Sequence, residues 1–122
     1  EMLARRYDMV RQYDAKLPGE VIRPAHLQPD MTSDCHLYLA RLPGKTHETR
    51  SAVITRMAER GVACNVHYKP LPLLTAYKNL GFRMVDYPNA YAQFENEITL
   101  PLHTLLSDED IDYVCACLKE SL

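Results

Sequence analysis

Three polar side chains in a row, His67, Tyr68 and Lys69, follow the apolar run Val62-Ala63-Cys64-Asn65-Val66, and Pro70 and Pro72 come directly after them. Imidazole and phenol both donate and accept hydrogen bonds, so the pair is the strongest candidate in the chain for contacting a ligand. Neighbours at a strand end point to opposite faces, yet a twist before Pro70 would turn both toward one cleft. The plain alternative is a histidine hydrogen-bonded at the surface and a tyrosine covering the core. Lys69 reads as a solvated charge. His26, His36, His47 and His103 stand singly and read as surface or edge residues.

The remaining reactive residues form no recognisable centre. Cys64 and His67 are three apart, which in a strand sends them to opposite faces, so they do not share a metal ion readily. Cys115 and Cys117 would lie about 200° apart around a helix. Cys115 instead fits an apolar stripe, as a buried thiol commonly does. No metal site is expected. No cysteine has the neighbouring base that a thiol nucleophile needs. Four glycines in the whole chain leave no glycine-rich phosphate loop, and no nucleophile elbow is present. As an independent catalyst the chain lacks parts.

The elements that must carry His67 and Tyr68 follow from periodicity. Leu3, Tyr7, Val10 and Leu17, flanked by Met2, Met9 and Tyr13, make a wide helical stripe that Pro18-Gly19 ends. Residues 20–34 form a polar crossing with Pro24 and Pro29, where Val21 and Ile22 suggest a short edge strand. His36 to Leu42 alternates as a half-buried strand. A helix with Thr46 as N-cap and Val53, Ile54, Met57 and Ala58 as its buried stripe runs to Gly61. Val62 to Tyr68 is the next strand. Leu73 to Leu80 reads as a short helix closed by Gly81, and a further helix opens at Asp86-Tyr87-Pro88 with proline in its first turn. Glu97 to Leu100 is a short strand stopped by Pro101. Ser107 caps the last helix, Asp110 completes a capping pair, and Ile111, Val114, Cys115, Leu118 and Leu122 form its core stripe. The order implies an α+β fold of two layers, a small sheet of about three or four strands packed with helices.

Composition narrows the function classes. With 122 residues, 47% hydrophobic and 25% charged, the chain is of a size and character to bury a core. A net charge of −2 with interspersed signs supplies no field for nucleic acid or an anionic membrane. No apolar run approaches the roughly 20 residues of a membrane span. The spacing of the four cysteines resembles no small disulfide framework, so free thiols and a cytoplasmic setting are expected. The first residues lie inside a helical pattern with no initiator methionine, which reads as a segment cut from the C-terminal end of something longer.

Ordered blocks of the sequence resemble the C-terminal region of the DegT/DnrJ/StrS-type sugar aminotransferases. Gly61-Val62-Ala63-Cys64-Asn65-Val66-His67-Tyr68-Lys69-Pro70-Leu71 resembles that family's G-(I/V)-x-x-x-V-H-Y-x-P-L stretch. Tyr77 to Gly81 is similar to its Y-K-x-x-G helix, and Tyr87-Pro88-Asn89-Ala90 to its P-x-A helix start. Ile98-Thr99-Leu100-Pro101-Leu102 resembles L-S-L-P-L, and Ser107 to Ile111 resembles T-x-E-D-(I/V). The helix bearing Arg5, Arg6, Tyr13 and Leu17 is similar to the one leading into the family's small domain. The resemblance implies residues 1–17 as a connecting helix from a large domain and 18–122 as the small domain of an aspartate-aminotransferase-type fold. It implies a pyridoxal-phosphate enzyme that moves an amino group, usually from glutamate, onto a nucleotide-linked keto sugar in a homodimer with interfacial active sites. The Schiff-base lysine and most cofactor contacts would lie in the large domain. None of Lys16, Lys45, Lys69, Lys78 or Lys119 matches the Schiff-base motif, so this chain is expected to hold no cofactor and no catalytic residue. His67 and Tyr68 are then substrate contacts, one wall of a cleft. The competing expectation is an interaction module or regulatory relative that shares the fold.

Overall fold

A computed structural model describes residues 2–122. Helix α1 spans Met2–Lys16, strand β1 Tyr38–Arg41, α2 His47–Glu59, α3 Thr75–Asn79, α4 Pro88–Phe94, strand β2 Glu97–Leu100 and α5 Asp108–Ser121, with single 3-10 turns at Leu71–Leu73 and Met84–Asp86. Each longer helix after α1 starts where local chemistry dictates. Thr46 and Thr49 cap one another at α2, the Thr49 N–H donating to Thr46 Oγ1 at 3.3 Å and the Thr46 N–H to Thr49 Oγ1 at 2.8 Å. Ser107 and Asp110 form the same reciprocal pair at α5, at 3.1 and 2.8 Å. Gly61, at φ +78°, takes the left-handed conformation that lets the chain leave α2, and Gly81, at φ +92°, does so after α3.

β1 and β2 pair antiparallel, Tyr38 opposite Leu100 and Arg41 opposite Glu97. They and α1, α2 and α5 enclose one core, in which Tyr13, Tyr38, Met57, Ile98, Leu100, Ile111 and Leu118 are fully buried. The Tyr13 hydroxyl donates to the Pro101 carbonyl at 2.6 Å and the Tyr38 hydroxyl to Asp14 Oδ1 at 2.6 Å, so neither phenol is left orphaned. Outside the core, α1 is clamped to the start of α5: Arg5 Nη1 and Gln12 Nε2 donate to Asp108 Oδ1 at 2.6 and 2.8 Å. Among the described residues no helix is long and apolar enough to cross a membrane.

The sheet has two strands, which corrects the expected three or four. The two outer lines shrink to single bridges, Ile22 with Arg41 beside β1 and Asn65 with Thr99 beside β2. The reason is where the backbone donors go. The Val66 N–H is taken by Asn65 Oδ1 at 2.8 Å and the His67 N–H by Glu97 Oε2 at 3.0 Å, so neither is available to a ladder. On the other side Pro24, just after Arg23, has no N–H to give. The buried stripe of α2 also shifts: Arg50 joins Val53 and Met57, Ile54 is half-buried and Ala58 is exposed. In α5, Cys117 is buried together with Cys115.

Candidate functional site

β2 organises the site. Glu97 and Thr99 are two apart and therefore share a face, opposite the one that carries Ile98 and Leu100. All four are buried, because Thr99 is bridged to Asn65 on one side and the strand pairs with β1 on the other. Glu97 is 1% exposed, and its contacts explain how a carboxylate is tolerated there. Its Oε2 accepts the His67 backbone N–H at 3.0 Å and its Oε1 accepts the Thr99 hydroxyl at 2.7 Å. Burial pushes this carboxyl up from the usual range, opposed by those two hydrogen bonds and by the charges of His67 and Arg50.

His67 closes the cluster from the side. Its Nδ1 lies 2.8 Å from Thr99 Oγ1, while Nε2 makes no hydrogen bond to any described residue. Tyr68 is 73% exposed and stands edge-on to the imidazole, ring centroids 4.6 Å apart. The peptide bond between the two is cis. The two rings lie side by side, one anchored from beneath and one open to solvent.

Next to them lies an open cleft of about 470 Å³, lined by His47, Lys69 and Lys78 together with Val66, Tyr91 and Phe94. His67 and Tyr68 do not line it; the residues on either side of the pair, Val66 and Lys69, do. The cleft carries two ammonium groups and no carboxylate. Beneath it, buried Arg50 donates to the Phe94 carbonyl at 3.0 Å and its guanidinium lies 5.2 Å from the Phe94 ring centre, while His47 stacks on the same ring at 5.3 Å. Burial lowers the basicity of Arg50 and the nearby Glu97 charge opposes this. Of the histidines read as solitary, His26 bridges a loop, with Nδ1 2.7 Å from Ser33 Oγ and Nε2 2.8 Å from the Leu37 carbonyl.

Sequence reading missed Glu97, Thr99 and Arg50. The alternation Glu-Ile-Thr-Leu held a usable signal, since polar residues two apart in a short central strand face something other than water. Nothing local marks Arg50.

The sequence profile of the DegT/DnrJ/EryC1/StrS aminotransferase family matches residues 1–119. The chain belongs to this family. A putative sugar aminotransferase from Streptococcus pneumoniae, solved in its apo-form, superimposes with a TM-score of 0.95 at 53% identity, over 98% of this chain and 30% of that one. The same protein has been solved in PMP and PLP forms. The spore coat polysaccharide biosynthesis protein SpsC of Bacillus subtilis (strain 168) is 29% identical over 98% of this chain and 32% of its own length. A dTDP-4-dehydro-2,3,6-trideoxy-D-glucose 4-aminotransferase of Saccharopolyspora spinosa is 30% identical over 91% of this chain and 28% of its own. The chain thus spans about a third of the length of these relatives.

Pyridoxal phosphate, the cofactor such a family implies, needs a lysine for the Schiff base and an acid or arginine at the pyridine nitrogen. Here Lys16 pairs with Asp112 and Lys45 donates to the Leu122 backbone oxygen at 2.7 Å. Lys69 and Lys78 are exposed beside a cleft that offers no carboxylate, and Lys119 is exposed in the last turn of α5. The described residues do not by themselves form a seat for that cofactor.

Proposed function

We propose that this chain is the C-terminal small domain of an aminotransferase that moves an amino group from an amino acid, glutamate being the expected donor, onto a nucleotide-linked keto sugar. The observation that carries this reading is the family match over nearly the whole chain, joined to an imidazole anchored from below whose Nε2 is unengaged. In the reading, His67 and Tyr68 hydrogen-bond and cover the sugar or nucleotide, and the cationic cleft with Lys69 and Lys78 suits its phosphates. The Schiff-base lysine and cofactor pocket are contributed by a large domain, from which α1 leads. The apolar groove formed by Pro70, Leu71, Pro72, Tyr77, Phe82 and Tyr87 is covered by that domain or by the second subunit of a cytoplasmic homodimer. The 3-10 turn at Leu71–Leu73 contributes to this groove and leaves Leu71 53% exposed.

Kinetics of the full-length enzyme test the reading. Removing a hydrogen bond made by His67 should raise the KM for the nucleotide sugar about tenfold in His67→Ala, with the KM for the amino donor unchanged. An unchanged sugar KM, or equal losses for both substrates, would overturn it.

A further inference from the structure

The geometry points to a role for Glu97: acting through Thr99, it holds His67 in the Nδ1–H tautomer and leaves the Nε2 lone pair unengaged by any described residue. The deduction runs along the hydrogen bonds. An ionised carboxylate only accepts. Both groups that reach Glu97, the His67 backbone N–H at 3.0 Å and the Thr99 hydroxyl at 2.7 Å, are donors. Thr99 has one proton, and Glu97 takes it. The Thr99 oxygen, 2.8 Å from Nδ1, is then left to accept, so Nδ1 must carry the proton. The opposite assignment, with Thr99 donating to Nδ1, sets two lone-pair oxygens against each other at 2.7 Å in a place where Glu97 and Thr99 are only 1% and 6% exposed. Water cannot relieve that clash.

The arrangement is rigid for reasons outside the cluster. Thr99 exchanges both backbone hydrogen bonds with Asn65, at 2.8 and 3.2 Å, which fixes the height of β2 against the segment bearing His67. Burial pushes the Glu97 carboxyl up, and the two hydrogen bonds it accepts, with the positive charge of buried Arg50 after them, work against that rise and toward the ionised, accept-only carboxylate the chain of bonds requires. Glu97 and Thr99 are positioning residues: neither offers an atom to the outside, and each acts on what His67 presents. A neutral His67 so held accepts from a hydroxyl at Nε2; once protonated, it donates from the same atom to a phosphate oxygen. The meaning for catalysis rests on His67 being a substrate contact; the tautomer itself does not.

The test is nitrogen NMR of protein labelled with 15N-histidine, at about pH 8, where imidazoles are mostly neutral. The His67 signals are assigned by their loss in His67→Ala. The native protein should show a protonated, pyrrole-type Nδ1 and an unprotonated, pyridine-type Nε2. In Glu97→Gln the carboxamide oxygen keeps the His67 backbone N–H while its NH2 donates to Thr99. That frees the Thr99 proton for Nδ1, so the two ring signals exchange character. Thr99→Ser should retain the native pattern and Thr99→Val should lose it, a pair that decides the matter if Glu97→Gln does not fold. A pyridine-type Nδ1 in the native protein overturns the proposal, as does an unchanged pattern in folded Glu97→Gln or Thr99→Val. If the tautomer is as stated and His67→Ala leaves the sugar KM untouched, the positioning role stands and the substrate reading falls.

Discussion

At the scale of single residues, burial decides which groups are reactive. Cys64 lies in the segment that presents His67, yet its thiol is pushed up to about 12 by desolvation and, secondarily, by Cys117. Cys115 rises to about 11 for the same first reason. A thiol in the unfolded chain ionises near pH 8.5. The folded chain therefore binds the Cys64 proton more tightly, and the stability this contributes is fully present below about pH 8.5 and lost as pH rises toward the folded value. Urea midpoints taken at about pH 8 and pH 10.5 should fall for the native protein and fall less for Cys64→Ala. Parallel losses would show that Cys64 ionises equally easily in both states. The same protection should slow alkylation of Cys64 by iodoacetamide at neutral pH relative to the denatured chain.

At the scale of elements, the contact between α1 and α5 combines an apolar seam with a polar clamp. Met9, Val10 and Tyr13 supply one side of the seam, and Ile111, Val114 and Leu118 contribute to the same core from α5. Asp108, in the first turn of α5, collects donors from α1 and faces the positive end of its own helix. Hydrogen bonds from Gln12 and then Arg5 hold its carboxyl below the usual aspartate range. Because the folded value is depressed, this stabilisation is present above about pH 4 and disappears as pH falls through the folded value. Between about pH 4 and pH 2 the thermal midpoint of the native protein, followed by circular dichroism, should drop more steeply than that of Asp108→Asn. The difference should be modest and shrink in salt, since the pair lies at the surface. Superimposable acid limbs would rule out the clamp as a contributor.

At the scale of the whole molecule, the chain supplies a small core, a cationic cleft and, beside that cleft, the adjacent rings of His67 and Tyr68, without a lysine-and-carboxylate seat among its described residues. We therefore predict that incubating these 122 residues with pyridoxal phosphate, followed by borohydride, leaves no single lysine preferentially modified in a peptide map. A label concentrated on one lysine would overturn the assignment of the cofactor pocket to another domain. What the sequence by itself determined was the local part of this picture. The capping pairs Thr46–Thr49 and Ser107–Asp110, the stop at Gly61, the α5 stripe and the ordered family blocks all depend on residues close together in the chain. Only the tertiary structure decided the rest. Whether Val62 to Tyr68 becomes a strand depends on which acceptors capture its N–H groups, and one of them, Glu97, is 30 positions away. The atom His67 shows to a ligand depends on Thr99, 32 positions away, and burial of Arg50 depends on the Phe94 carbonyl it reaches across 44. A hydrogen bond between distant side chains leaves no periodicity in the sequence, because its geometry exists only once the core has brought β2 against the segment beside it.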